Sequence, residues 1–219
     1  MPRVAAAGKP TAKISKSQNT KARVLHEALA LASRIGFQGL SFGTLAAHAR
    51  LSKSGLFAHF HSKEDLQIRT LELASAMFVE RVLKPAVAAP RGVPRIRRLF
   101  DGWMAWIRSD SVPSGDILIS CAFEFDDAPP GPMRDAVVRG HHALQSTIER
   151  LARQALEAGQ LAPRTDPAQF AFEFLGIVHA HHHLRRLLGT DPRARRARLA
   201  FERLLRDHAA QPHRRRAAR

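Results

Sequence analysis

The chain has 219 residues, and 45% of them are apolar, which is enough to fill one domain or two small ones and excludes global disorder. Its formal net charge of +16 and pI near 11.5 favour a polyanionic partner such as DNA, RNA or an anionic membrane. The single cysteine, Cys121, excludes an internal disulfide and a cysteine-rich zinc site. The sequence has no run of about 18 apolar residues, so no membrane span is predicted. No secretory signal is recognisable, so a cytoplasmic protein is expected.

The positive charge is concentrated at the two ends of the chain. Residues 1–63 carry ten Lys or Arg against one acid, Glu27, and residues 193–219 carry ten Arg against Glu202 and Asp207. The part between them is close to neutral. A basic N-terminal region followed by a neutral body is typical of a phosphate-binding domain joined to a second domain.

Helical periodicity begins at Lys21. Apolar residues then recur every three or four positions from Val24 to Ile35 and predict an amphipathic helix that ends at Gly36. Three serines follow at positions where an N-cap is needed, and they predict helices over residues 41–49, 52–59 and 62–85.

The rest of the chain shows the same period. No segment alternates apolar and polar residues as a half-buried strand would. Further helices are predicted over residues 93–108, 116–125, 134–159, 165–188 and 191–208. The fold is therefore predicted to be all-α, with about nine helices.

The stretch from Leu45 to Leu66, LAAHARLSKSGLFAHFHSKEDL, points to function. Small residues on its first helix allow a second helix to cross closely at the steep angle of a helix-turn-helix, and Leu45, Leu51 and Leu56 can fill the space between the two. The second helix then exposes charged, hydroxyl, glycine and aromatic positions that suit a DNA major groove. The candidate DNA-binding residues are Ser41, Thr44, Arg50, Ser52, Lys53, Ser54, Gly55, Phe57, His59 and Lys63.

Residues 20–70 resemble the tetracycline-repressor-like (TetR) family of bacterial regulators. The resemblance is carried by Gly36-Phe37, by the Leu51–Phe60 block LSKSGLFAHF, and by the SKEDL sequence that begins at Ser62. It implies a homodimer that binds a palindromic operator, with a C-terminal helical domain that binds a small-molecule effector and usually relieves repression. The alternative for this segment is a helical hairpin that packs in an ordinary core and has no role in binding DNA.

The resemblance also divides the chain. It implies a helix-turn-helix domain over residues 21–65 and a regulatory and dimerisation domain over residues 66–209. Residues 1–20 and 210–219 are expected to be disordered basic segments, either solvated or in contact with the DNA minor groove.

One position departs from the family pattern. Arg50 stands in the turn where the family usually has glycine, because the backbone there favours a positive φ. An arginine in this conformation costs roughly 1 kcal/mol of strain. A contact between its guanidinium and a DNA phosphate is the hypothesis that accounts for it.

Two apolar stripes are further candidate sites. The first is either an effector pocket or ordinary core, and its residues are Trp103, Met104, Trp106, Ile107, Cys121, Phe123 and Phe125. The second, on the last two helices, is predicted to form the dimer interface that the resemblance implies. Its residues are Phe172, Leu175, Gly176, His179, His183, Phe201 and Leu204.

Two alternative functions remain from the sequence. The His179–His183 cluster has helical spacing that can chelate a transition metal, which would make the protein a metal-responsive regulator, although interface histidines are favoured. The two basic ends would equally suit a non-specific architectural nucleic-acid-binding protein. No catalytic motif is present, so neither an enzyme nor a cofactor is predicted.

Overall fold

The computed structural model describes residues 16–109, 116–189 and 193–210. Their regular structure is helical apart from an isolated bridge between Leu161 and Ala209, so the all-α prediction is confirmed. The helices are α1 (Lys16–Gly39), α2 (Phe42–Ala49), α3 (Lys53–Phe57), α4 (Lys63–Phe78), a π-helical turn (Val79–Leu83), α5 (Lys84–Ala88), α6 (Val93–Ile107), α7 (Ile117–Phe125), α8 (Pro132–Glu157), α9 (Pro167–Leu188) and α10 (Arg193–Asp207).

The three predicted N-cap serines are confirmed. Ser41 accepts a hydrogen bond from the Thr44 amide at 3.1 Å, and Ser52 and Ser62 accept from amides three residues ahead at 3.1 and 3.0 Å. Each bond satisfies one of the helix N–H groups that have no partner within the helix. The second of these helices is shorter than predicted and ends at Phe57.

The predicted start of the first helix is wrong. α1 begins at Lys16, inside the segment expected to be disordered, because residues 16–20 are polar and apolar periodicity gives no signal there. Residues 1–15 of that segment and 211–219 of the predicted tail lie outside the described residues. The predicted break at Gly36 is present, with a φ of 79°.

The helix predicted to stop at Pro85 continues to Ala88. The π-helical turn Val79–Leu83 precedes Pro85, which lies in the first turn of α5. Proline has no backbone N–H, so one helical hydrogen bond is missing at this position. With α4, the π-helical turn and α5 taken as one continuous helix, the described residues contain nine separate helices, as predicted.

A continuous core joins the N-terminal helices to the body. Buried side chains extend from Val24 in α1 to Leu205 in α10, and α1 packs against both α4 and α7. In the body the rings of Phe100 and Phe201 stack at 4.0 Å, and Phe174 meets both edge-on. None of the described helices is long and apolar enough to cross a membrane.

Candidate nucleic-acid interface and ligand cavity

Helices α2 and α3 form a tight corner on the N-terminal side of the molecule. Leu45 and Leu56 are buried at their crossing, and Leu51 in the turn is half-buried against the same core. A reciprocal pair of hydrogen bonds fixes the start of α2, since Thr44 Oγ1 also accepts from the Ser41 amide at 2.9 Å. This corner has the small residues and the leucine packing that the sequence predicts.

The turn between the two helices contains the strained residue that the sequence predicts. Arg50 has φ 53° and ψ 43°, and among the described residues it is the only non-glycine with a positive φ. Its amide donates to the Ala46 carbonyl and so caps α2. The arginine side chain itself is exposed.

The outer face of α3 is exposed and carries both charge and apolar surface. Lys53, Ser54 and Gly55 are exposed, and Phe57 keeps 57% of its surface accessible. The Phe57 ring lies 4.3 Å from that of Phe42, so a large apolar group is held at the surface by a neighbour. Solvent-exposed aromatics beside a lysine suit contact with sugars or thymine methyl groups next to phosphates.

The other candidate DNA-binding residues lie in the same segment. Thr44, Arg50, Ser52 and Lys63 are exposed, and Ser41 is half-buried because it caps α2. His59, expected to be exposed, is half-buried. The Lys63 ammonium donates to the Gln38 carbonyl at 2.8 Å, which uses one of its three N–H donors.

Hydrogen bonds that the sequence did not reveal join the end of α1 and the start of α4 to the body. The Glu124 carboxylate at the end of α7 accepts from the Gln38 amide at 3.0 Å, and the Gln38 side chain donates to the Glu124 carbonyl at 2.7 Å. A Cβ on Gly36 would lie 2.8 Å from the same carboxylate. Glu64, at the start of α4, accepts from the Met133 amide of α8 at 3.1 Å.

A cavity of about 240 Å³ lies in the body between α4, the π-helical turn, α6, α7, α8 and α9. Most of its wall is apolar, and Ser75, His141, Thr147 and His179 supply the polar atoms. The lining residues are Leu71, Ser75, Phe78, Val79, Leu83, Trp103, Leu118, Ile119, Ala122, Ala136, Val137, Gly140, His141, Ala143, Leu144, Thr147 and His179.

Of the residues assigned to a pocket from the sequence, Trp103 lies in the cavity wall. Met104, Trp106, Ile107 and Cys121 are buried in the core instead. The other two pocket candidates are also outside the wall, Phe123 being half exposed and Phe125 partly buried. Periodicity identifies a buried face of a helix, but it does not show which buried side chains adjoin a void.

The two cavity histidines are held neutral. Their ring centroids lie 5.7 Å apart. Burial lowers the pKa of His179 to about 4, with a smaller contribution from the neighbouring His141. Burial also lowers the pKa of His141, and His142 adds to the effect. Each ring therefore offers one N–H donor and one acceptor at neutral pH.

A buried carboxylate orients the indole in the cavity wall. Asp116 is fully buried and accepts from Trp103 Nε1 at 2.5 Å and from the Leu118 amide at 2.9 Å. Burial raises the pKa of Asp116, and the hydrogen bond from Trp103 opposes that rise. The same side chain caps α7, so one residue fixes two parts of the wall.

Two family models match the chain. The model described as the tetracyclin repressor-like C-terminal domain matches residues 92–201, which is half of the chain, and the model described as bacterial regulatory proteins of the tetR family matches residues 24–69. The chain belongs to the TetR family. The prediction of a DNA-binding transcriptional regulator is confirmed with it, and residues 24–69 contain the α2–α3 corner.

Solved structures agree with this assignment. A TetR transcriptional regulator from Chloroflexus aurantiacus J-10-FL is 25% identical, with a TM-score of 0.77 over 87% of this chain and 94% of that chain. A TetR-family regulator from Streptomyces coelicolor is 20% identical, with a TM-score of 0.74 over 86% and 95%. The regulator AibR, solved with isovaleryl coenzyme A and operator DNA, is 22% identical, with a TM-score of 0.66 over 84% and 95%. No curated protein matches the sequence significantly.

The side chains of the His179–His183 run in this TetR-family chain lie in different surroundings. His179 lines the cavity, His182 is buried with its Nε2 3.2 Å from Ser120 Oγ, and His183 is exposed. Burial lowers the pKa of His182 to about 4. Within residues 16–109, 116–189 and 193–210, no three His, Cys, Asp or Glu side chains group as a metal site would, so the metal-responsive alternative gains no support.

The outer face of α9 carries exposed apolar side chains, whereas the exposed side chains of α10 are mainly arginines. Phe172 is 72% exposed and Leu187 is 66% exposed, and an open groove with Gly176 on its wall runs between the two helices. Four residues assigned to the interface from the sequence are not exposed on this surface. Leu175, Phe201 and Leu204 are buried within their own protomer, and His179 lies in the wall of the cavity. The three buried residues belong to the core, and Leu204 also lines the groove between α9 and α10.

Proposed function

We propose that this TetR-family protein represses transcription as a homodimer. Each protomer binds one half of a palindromic operator through α3 and its flanking turns, and a small molecule in the body cavity releases the DNA. The protein acts as a regulator in the cytoplasm and not as an enzyme. The observation that carries the proposal is the exposed face of α3. It presents a lysine, a serine hydroxyl, a glycine and the Phe57 ring, which packs against Phe42.

The DNA-binding unit is residues 21–65, and the regulatory unit is residues 66–209. In the first, Lys53, Arg50 and Lys63 neutralise phosphates, while Phe57 and Ser54 contact base edges or sugars. Lys63 retains donors for this role beyond the one it gives to Gln38. The remaining contacts are proposed for Ser41, Thr44, Ser52, Gly55 and His59.

The dimer is proposed to form through the outer surface of α9 and α10. Exposed apolar side chains of this extent on a monomer mark an association surface. Phe172, Gly176 and His183 are the accessible members of the predicted interface. Two-fold symmetry would then place the two copies of α3 roughly 34–36 Å apart, in successive major grooves.

Helix α7 is proposed to carry the signal between the two units. Leu118, Ile119 and Ala122 lie in the cavity wall, and Glu124, at the end of the same helix, is bonded to Gln38. A ligand that moves α7 would therefore move the DNA-binding unit and change the separation of the two α3 helices. That a fold relative was solved with both a ligand and operator DNA supports this scheme.

Selection from random-sequence DNA tests the proposed function. The purified protein is mixed with a pool of random duplexes at physiological salt, and the bound molecules are amplified and sequenced. We expect an enriched inverted repeat whose half-site centres are about 10–10.5 bp apart or a multiple of that distance. Binding without sequence enrichment would indicate the architectural alternative and contradict the proposal.

A further inference from the structure

The cavity wall has no charged side chain among the described residues that line it. A carboxylate or ammonium group moved into such a site loses its hydration and gains no ion pair in return. The neutral state of His141 and His179 removes the only titratable groups in the wall that could have supplied a positive charge. Charged ligand groups are therefore disfavoured inside.

The polar atoms of the wall suit a group that both donates and accepts. A neutral imidazole presents one N–H and one bare nitrogen, and the two rings lie 5.7 Å apart between centroids. Thr147 gives its hydroxyl proton to the Ala143 carbonyl at 2.8 Å, so toward a ligand it acts as an acceptor. Hydroxyl and primary amide groups satisfy this arrangement.

The volume limits the part of a ligand that lies inside the cavity. An apolar void of roughly 150 Å³ is known to hold benzene, and this cavity is larger at about 240 Å³. It therefore accommodates about ten non-hydrogen atoms at comparable packing. A nucleotide does not fit inside this volume, and it carries charge as well.

We infer that the cavity binds an uncharged, lipophilic compound of about ten non-hydrogen atoms, with one hydroxyl or amide group placed between His141 and His179. This inference rests on the proposed function, because it names the chemical class of the effector of that same cavity. The closest competing feature is Arg150, an exposed guanidinium that lies 3.4 Å from Thr147 Oγ1 without forming part of the wall. An acidic ligand in the cavity would have to extend past the wall to pair with Arg150.

Three probes of nearly equal size distinguish an uncharged ligand from an acidic or a basic one: octanamide, octanoate and octylammonium. Each is titrated into the full-length protein at pH 7.5 by calorimetry, with tryptophan fluorescence as a second readout because Trp103 lies in the wall. We expect octanamide to bind at least ten-fold more tightly than either charged probe. Tighter binding of octanoate, lost in Arg150→Ala, would overturn the inference.

Two variants locate the bound probe. A Cβ on Gly140 meets no atom within 4 Å, so Gly140→Leu occupies cavity volume without a clash, and we expect it to weaken octanamide binding at least ten-fold. His179→Leu should weaken octanamide about five-fold and leave the charged probes unchanged. Ala105→Leu, at an exposed position on α6 outside the wall, is the matched control and should bind as the wild type does.

Absence of octanamide binding, or binding that Gly140→Leu does not alter, would also overturn the inference. Operator binding by the unliganded wild type is measured in parallel. If the wild type binds the operator but prefers a charged probe, only the ligand class is refuted. If the unliganded wild type does not bind an operator at all, the proposed function is refuted.

Discussion

At the scale of single residues, Asp116 shows how far one side chain determines the cavity wall. Its carboxylate is fully buried, accepts from the Trp103 indole and from the Leu118 amide, and caps α7. The sequence predicted a helix that begins here but not the indole partner, which lies across a segment with no readable pattern. Local capping chemistry can be predicted from sequence, whereas a partner thirteen residues away depends on the tertiary fold.

Replacing Asp116 tests this role. Asp116→Ala removes the helix cap and leaves the buried Trp103 N–H without its acceptor, so we expect the free energy of unfolding to fall by about 2–3 kcal/mol. Asp166 caps α9 with the same geometry but is exposed, and Asp166→Ala should cost only about 1 kcal/mol. Urea denaturation of both variants gives the comparison, and equal losses would contradict the account.

Arg50 combines a strained backbone conformation with a proposed contact to a DNA phosphate. Because its φ is 53°, Arg50→Gly should raise the free energy of unfolding by about 1 kcal/mol. It should also weaken operator binding, since the proposed phosphate contact is lost. Denaturation and DNA titration of the same variant measure both effects. A variant that binds the operator as tightly as the wild type would remove the phosphate role.

At the scale of the elements, α7 has one end on the cavity and the other on the DNA-binding unit. Loss of the Glu124 carboxylate in Glu124→Ala should raise the hydrogen-exchange rate of the Gln38 amide roughly five-fold, because the amide loses a hydrogen bond worth about 1 kcal/mol. Glu72→Ala, at an exposed position on α4, is the matched control. Unchanged protection of Gln38 in Glu124→Ala would show that the contact does not join the two units.

The elements themselves were largely predictable, because helical periodicity, serine caps and glycine breaks are local signals. The π-helical turn before Pro85 was not, since a proline ordinarily ends a helix and apolar periodicity does not distinguish a π-helical turn from an α-helix. The contribution of α8 to the cavity was also missed. Its residues Ala136, Gly140 and Leu144 follow helical spacing that reads as ordinary packing.

At the scale of the whole molecule, the family, the all-α fold and the basic N-terminal unit followed from the sequence. The division of apolar side chains between core and interface did not, since Phe201 and Phe172 look alike in a periodic pattern, while only Phe172 is exposed. Exposure in the folded chain was needed to separate them.

The exposed apolar side chains of α9 predict the effect of a charge placed among them. Gly176→Glu places a carboxylate at an exposed position where a Cβ meets no atom within 4 Å, so the monomer should fold normally while the dimer dissociates. Ala76→Glu, on the exposed side of α4, should remain dimeric. Sedimentation velocity distinguishes them, and an intact Gly176→Glu dimer would place the interface elsewhere.

The central claim is that the exposed face of α3 holds the phosphates of an operator. The most direct measurement is the salt dependence of the affinity for the selected operator, by fluorescence anisotropy, for the wild type, Lys53→Ala and Lys84→Ala. Lys84 is an exposed lysine of the body, paired with Glu80, and its loss should change nothing. Lys53→Ala should weaken binding at every salt concentration and reduce the slope of log K against log salt by about one unit. A Lys53→Ala slope equal to that of the wild type would contradict the account.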